Sequence, residues 1–380
     1  MNFLFPDLHT LLSAIDAHFN GINVFKENPL CYFKIPHAYS NAWFIFHYVG
    51  ITDEYRIFIA VFLITMFAIS IGFLIKDKTW VCFPFLCSPA VLFAIERCNS
   101  DIVVFILIFV CYKLCLCKDR KSYFLGHLIL FFAVALKYYP IAFSVVLLFR
   151  KEEIIFRLFH FLFQIILFSL WIYYCWDNLL IQRAFIPDPG YFSSFGFSPF
   201  VSLINNFSGL SNAVCMIILI AFTVLLVLKI FRTYNYKDKK DFICISSDRL
   251  SEVLCAGSLS IILFCYFVKT SFDYRLIFLF FTFPFILKFK IINCKNLKCF
   301  FISPHFFMFC SIITAWFEFI IKWITIITKE LEIESFLPHI LFLIRTSEVF
   351  LNHYLIILSL SITLFICYRN LLIKDKVLKY

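Results

Sequence analysis

"FAIERCNSDIVVF", residues 93–105, sets three ionisable groups, Glu96, Arg97 and Asp101, within six residues of an otherwise apolar stretch. That stretch runs from Cys82 to Cys117. At the centre of a membrane span each such group costs about 2.5–3.5 kcal/mol. One continuous span is therefore a poor reading. Two short spans that meet at a membrane surface, with "ERCNSD" as the turn between them, let the charges sit where water and partners are available. The fold class follows from this turn.

Working outward, the rest of the chain has the same character. Of 380 residues 62% are hydrophobic and 15% charged, with a mean hydropathy of +0.91. Long apolar runs recur along the whole length, which predicts an all-α, polytopic transmembrane helical bundle. No polar stretch is long enough for a separate soluble domain, no internal repeat is visible, and nucleic acid is not an expected partner. HExxH, P-loop and GxGxxG patterns are absent, which removes the usual zinc-protease and nucleotide readings. The 16 cysteines lack metal-ligand spacing and mostly lie in apolar runs, where they serve as small hydrophobes. A Cys31–Cys98 disulfide is the alternative to free thiols.

Spans are predicted near 56–75, 81–95, 102–117, 123–136, 139–149, 154–175, 212–231, 253–268, 276–287, 300–316 and 353–370, about 11 in all. Several are shorter than the roughly 20 residues of a perpendicular crossing, so short broken helices are expected. Basic residues orient the bundle. The connections 76–80, 112–122, 149–157, 229–252 and 288–298 and the tail from Arg369 carry 23 of the 34 lysines and arginines. The positive-inside rule puts these in the cytoplasm and residues 1–55 outside. An odd span count with an exterior N-terminus and no signal peptide suggests that a further span precedes this start. The chain reads as one integral membrane domain, 1–380. Residues 1–55 form an exterior loop with an amphipathic helix, 56–287 the core spans, and 288–380 the C-terminal spans.

This orientation brings other polar stretches to the exterior face. "ALKYYPIAF", 135–143, places Lys137, Tyr138 and Tyr139 at a break between two apolar pieces. "KTSFDYRLIFLFF", 269–281, places Lys269, Asp273, Tyr274 and Arg275 at a span end. A loop over 176–211 carries "IPDPGYFSSFGFSPF". Each has a structural alternative: Lys137 can snorkel, the tyrosines can be interfacial aromatics, and the arginines can pair with neighbouring carboxylates. Cations gathered on one face suit an anionic ligand such as a phosphate.

The opening segment, "FPDLHTLLSAIDAHFNGINVFKENPL", has Leu8, Leu11, Leu12, Ile15 and Phe19 on one helical face. It predicts an amphipathic helix of about 12 residues lying in the exterior interface, ended by Gly21, with His9 and Asp16 on its polar edge. Asp7, just after Pro6, is either an N-cap or a carboxylate base at the membrane surface.

The opening "DL…AI…G…V…NP" pattern, "SPAVLFAIERCNSDIVVF", "ALKYYPIAF" and "FDYRLIFLFFTFP", in this order, resemble the multispan GT-C glycosyltransferases. The likeness is to glycosyltransferase family 87, formerly domain of unknown function 2029. Members typically read ERGN-x-D where this chain has Glu96-Arg97-Cys98-Asn99-Ser100-Asp101, so Cys98 replaces a glycine. Members also read YRL-x-FL, matched by Tyr274, Arg275, Leu276, Phe278 and Leu279. The similarity covers about residues 7–285.

This resemblance implies an inverting membrane glycosyltransferase, with a polyprenyl-phosphate-linked sugar as donor and a glycan or lipid as acceptor. The active site would face the exterior of a bacterial cytoplasmic membrane. Asp7 is matched to the catalytic base, with Asp16 in reserve. Glu96, Arg97, Asn99, Asp101, Lys137, Tyr139, Tyr274 and Arg275 are the donor- and phosphate-binding candidates, Lys137 and Arg275 offsetting charge on the departing phosphate. No cofactor is implied with certainty, no metal ligands are assigned, and a role for a divalent metal stays open. The alternatives are a transporter or flippase of lipid-linked sugars, which calls for polar residues near the midplane, and an oligosaccharide polymerase or ligase.

Overall fold

The computed structural model describes residues 4–75, 79–115, 119–149, 153–185, 194–195, 201, 205, 211–235, 244–245, 249–268, 271–290, 303–330 and 337–368. In chain order the helices are α1 (Pro6–Phe19), the 3₁₀ segments η1 (Asn41–Val49) and η2 (Asp53–Tyr55), α2 (Arg56–Ile75), α3 (Thr79–Leu86), α4 (Pro89–Arg97), α5 (Ser100–Cys115) and α6 (Arg120–Leu136). There follow the 3₁₀ segment η3 (Tyr139–Phe149), α7 (Ile154–Tyr174), α8 (Trp176–Phe185), α9 (Asn212–Asn235) and α10 (Arg249–Val268). The last are the 3₁₀ segment η4 (Asp273–Thr282), α11 (Phe283–Lys288), α12 (Pro304–Glu330) and α13 (Leu337–Tyr368). Two short antiparallel pairings, Ser194 opposite Phe272 and Cys244 opposite Lys290, are the β structure among the described residues. The all-helical expectation holds.

Among the described residues five helices are long and apolar enough to cross a membrane, and up to seven spans result if each of two bent helix pairs is taken as one. Several of the predicted spans coincide with elements too short for that length. α5 and α6 have 16 and 17 residues, and η3 has 11. At about 2.0 Å per residue a 3₁₀ segment of that length covers roughly 22 Å, less than the ~30 Å of a hydrocarbon core. α2, with 20 residues, covers about 30 Å. Its two hydroxyl side chains are satisfied within the helix, Thr65 donating to the Val61 carbonyl at 2.7 Å and Ser70 to that of Met66 at 2.8 Å.

The chain packs as two compact units. The first comprises Met1–Leu74 with Leu92–Asp188, the second Ile75–Val91 with Pro189–Tyr380. The first unit is organised around α5, α6, η3 and α7, each packed on the next, with α1, η1 and η2 laid on one end. Gly126 makes the tight α5–α6 approach possible: a Cβ there would sit 2.8 Å from the Cys115 sulfur. α7 is peripheral, with only 11% of its span buried, so most of its apolar surface is left for lipid.

α1 forms as its sequence predicts. Pro6 occupies the first turn, where its missing N–H is no loss. At the other end Gly21 has φ +79°; its N–H reaches the His18 carbonyl, and that of Ile22 reaches Ala17. This is a Schellman stop, which leaves two terminal carbonyls satisfied. The apolar face of this amphipathic helix packs on protein. Leu8, Leu11, Leu12 and Ile15 are buried among Val24, Phe25, Trp43, Phe44 and Ala60, within protein. Burying each leucine-sized side chain contributes about 1.5–3 kcal/mol. Cys31 and Cys98 are both buried and both free.

In the second unit α13 packs on α9, α10 and α12, and α10 is its most enclosed span, with 72% buried. His353 of α13 bridges Thr223 of α9 at 2.9 Å and Tyr266 of α10 at 2.8 Å. The Thr223 hydroxyl donates to the Leu219 carbonyl, so it receives the proton of His353 Nε2, and Nδ1 accepts from Tyr266. Ser258 ties α10 to η4 through the Phe278 carbonyl at 2.6 Å.

Because a Cβ on Gly21 would meet nothing within 4 Å, Gly21→Ala isolates the conformational cost of its left-handed backbone. The substitution is expected to destabilise the first unit by about 1–2 kcal/mol, read as a lowered thermal midpoint in detergent. An unchanged midpoint would show that α1 does not depend on this stop.

Candidate functional site

The site grows from a corner of two residues. α4 ends in a second Schellman pattern, the Cys98 N–H reaching the Ile95 carbonyl and that of Asn99 reaching Ala94, both at 3.0 Å. Cys98 takes the left-handed conformation this requires, φ +44°. A side chain in that conformation costs about 1–2 kcal/mol relative to glycine. The next residue already starts another helix: the Asn99 side-chain oxygen accepts the Asp101 N–H at 2.9 Å and caps α5. With its oxygen committed, the Asn99 amide nitrogen is turned outward as a donor.

Asp7 meets that donor. Its Oδ2 accepts from Asn99 at 2.5 Å, and its Oδ1 accepts from Arg97 Nε at 2.9 Å and from Arg97 Nη2. Arg97 also lies over the Phe93 ring, 5.1 Å from its centroid. Asp7 is therefore not the N-cap: that position is Phe5, which offers no side-chain cap, and the carboxylate is used across 90 residues of sequence.

A second ion pair stands beside the first. Asp101, in the first turn of α5, accepts from Lys137 and from the Tyr139 hydroxyl, the latter at 2.7 Å. Lys137 Nζ also lies 3.5 Å from the Asn99 oxygen. Lys137 follows the last residue of α6 in extended backbone, and Tyr139 precedes Pro140, which disfavours continued α-helix. The break is held by Trp43, whose indole donates to the Leu136 carbonyl at 3.1 Å. Asp101 is fully buried and the Lys137 side chain 9% exposed; the Arg97 side chain is 35% exposed. Of the two cations Arg97 is the one a ligand can reach. Lys137 is already matched by Asp101.

Six sequence candidates, Asp7, Arg97, Asn99, Asp101, Lys137 and Tyr139, thus come together in one hydrogen-bonded network in the first unit. Glu96 does not join it; its side chain is exposed on the outer side of the corner. Asp16 lies nine residues along α1 and accepts the Asp53 N–H at 3.1 Å. Burial raises its carboxyl above the usual range, partly offset by that hydrogen bond. Tyr274 and Arg275 belong to η4 of the second unit. The Tyr274 and Asp273 side chains, Lys269 and most of the 176–211 loop lie outside the described residues. No group of three His, Cys, Asp or Glu side chains suited to a metal ion occurs among the described residues.

Tyr39 escapes the sequence reading. Lys137 Nζ stands 5.4 Å from its ring centroid. Desolvation, followed by the charge of Asp7, raises its phenol, as Asp101 also does to a lesser extent. Burial and then Asp7 likewise push the Cys98 thiol up to about 12, which keeps it protonated and unreactive. Only a loop's path, not a spacing pattern, brings Tyr39 here; its carbonyl is held by Gln182 at 2.8 Å.

Comparison with family models, curated proteins and solved structures finds no match for this chain.

Removing one member of the buried pair strands the other. Asp101→Asn is expected to cost about 3–5 kcal/mol, as for a broken buried ion pair. The double variant Asp101→Leu/Lys137→Met should recover much of that loss in thermal stability. Equal losses in both proteins would show that the pair's charges are not coupled.

Proposed function

We propose that this protein is a GT-C-type membrane glycosyltransferase that transfers a sugar from a polyprenyl-phosphate-linked donor to a glycan or lipid acceptor. In this reading the reaction takes place at the exterior face of a bacterial cytoplasmic membrane, and the bundle has about eleven short or broken spans. One observation carries it: the carboxylate of Asp7 is oriented by Arg97 and Asn99, from the motif that resembles ERGN-x-D. Lys137 and Tyr139 of the second motif stand alongside through Asp101. Motifs far apart in sequence supply one polar cluster, as a shared chemical task requires.

In the proposed reaction Asp7 is the base. Its Oδ1 receives both Arg97 bonds, whereas Oδ2 receives one from Asn99 and keeps a lone pair for an acceptor hydroxyl. As that hydroxyl loses its proton, its oxygen bonds to the sugar's anomeric carbon, and the bond to the lipid phosphate breaks with inversion. The phosphate departs with the bonding pair. Arg97, with its planar fork and partial exposure, is the cation suited to a phosphate oxygen. Asp101 and Lys137 hold the floor beneath.

A transporter of lipid-linked sugars is the second reading. The polar Thr223–His353–Tyr266 bridge, set inside apolar spans, favours it.

The deciding assay incubates purified protein with radiolabelled polyprenyl-phosphate sugars. Transfer from one of them is expected, with Asp7→Asn lowering turnover by about 100-fold or more while donor binding is retained. Asp16→Asn is expected to keep turnover close to wild type. Full activity of Asp7→Asn removes the base assignment. Movement of intact lipid-linked sugar across vesicles, without transfer, decides for transport.

A further inference from the structure

The polar edge of α1 does something its apolar face does not: it fastens a loop. Ser13 Oγ accepts from the Asn28 amide at 3.3 Å, Thr10 Oγ1 accepts from the Cys31 thiol at 3.6 Å, and His9 Nε2 accepts from the Tyr32 N–H at 3.1 Å. A backbone N–H can only donate, so His9 Nε2 is bare and its proton is on Nδ1, which donates to Asp53 Oδ2 at 2.8 Å. Cys31 is thereby drawn inside, 1% exposed. Its neighbours are turned the other way. Leu30 is 47% exposed, Tyr32 65%, Phe33 45% and Ile35 43%.

Four large apolar side chains within six residues, held outward by three side-chain anchors, form a presented surface. Tyr32 and Phe33 pack edge to face at 5.2 Å, which keeps the two rings together. Lys34, exposed between Phe33 and Ile35, has the left-handed φ of +52° and closes a turn onto the Cys31 carbonyl at 2.9 Å. The same relay ties this loop to the end of an apolar helix. Asp53, the partner of His9, is the first residue of the membrane-crossing segment Asp53–Ile75, and it also pairs with Arg56. The loop is thus one histidine ring away from the end of a span.

We infer that residues 30–35 insert into the headgroup and acyl boundary of the bilayer, with Leu30, Tyr32, Phe33 and Ile35 among the upper acyl carbons and Lys34 at the phospholipid phosphates. Aromatic rings with a polar or wet end favour that layer, and a lysine stem can cross apolar surface to set its charge in water. The loop takes the interfacial place that the sequence suggests for α1, and it does so independently of any transferase activity.

The test is photocrosslinking of full-length protein in vesicles of phosphatidylcholine and phosphatidylglycerol. A benzophenone amino acid replaces Tyr32, Phe33 or, as an exposed polar control, Asn23. Phospholipid adducts are expected at 32 and 33 in several-fold excess over 23. Adduct yields at 32 and 33 no higher than at 23, or adducts formed to another protein chain instead of lipid, would overturn the inference. His9→Ala, which releases the Tyr32 N–H, is expected to lower the lipid adduct at 33; an unchanged yield would overturn the role of the histidine as anchor.

Discussion

The first unit depends on one hydrogen-bonded corner. Between α4 and α5 the chain stops one helix and caps the next within Arg97, Cys98 and Asn99, with no loop residues to spare. That economy gives the site its geometry. Arg97 leaves the end of one helix and Asn99 the start of another, and Asp7 receives both. A longer connection would let the guanidinium and the amide wander apart. The left-handed Cys98 is the cost of closing the corner without glycine, and the folded unit carries that strain because so many partners converge on it.

Electrostatics explains why the cluster can exist at the end of an apolar bundle. Two carboxylates face two cations, so the network is neutral as a whole while every charge in it has a partner. Both carboxylates also belong to first helical turns, where partial positive charge from the backbone favours them. The pairs differ in access. Lys137–Asp101 is sealed and acts as part of the frame, whereas Arg97–Asp7 is partly open and can exchange one partner for another.

Much of this was legible in the sequence, for reasons that differ by residue. Span positions such as 56–75 and 154–175 follow from hydrophobic runs, and Gly21 announces the end of α1. The turn at Glu96–Asp101 is visible because charge in hydrocarbon is so costly. Which charges would pair was not legible: Glu96 and Arg97 are adjacent, yet only one turns inward, because consecutive helical residues differ in direction by about 100°. Tyr39, Trp43 and Asp53 were missed, since their roles come from a loop's course through space and no periodicity marks them. The periodicity of α1 marks its apolar face, but not the residues that cover it, Val24, Phe25, Trp43, Phe44 and Ala60, since hydropathy does not encode partners.

The long sequence separations within this site have a consequence for how the protein is made. Asp7 waits for Arg97, 90 residues later; Trp43 waits for Leu136, 93 residues later; and Tyr39 waits for Gln182, 143 residues later. At about 5–20 residues per second of synthesis, the first of these intervals alone lasts on the order of ten seconds. Throughout it the leucines of α1 have emerged and the surface that will cover the far side of the corner has not. Biogenesis therefore has a period in which the Asp7 carboxylate is present without the guanidinium and amide that will hold it. The order of events is fixed by the topology: Arg97 and Asn99 are made long after Asp7, and the polar end of α1 completes its contacts only once they have arrived.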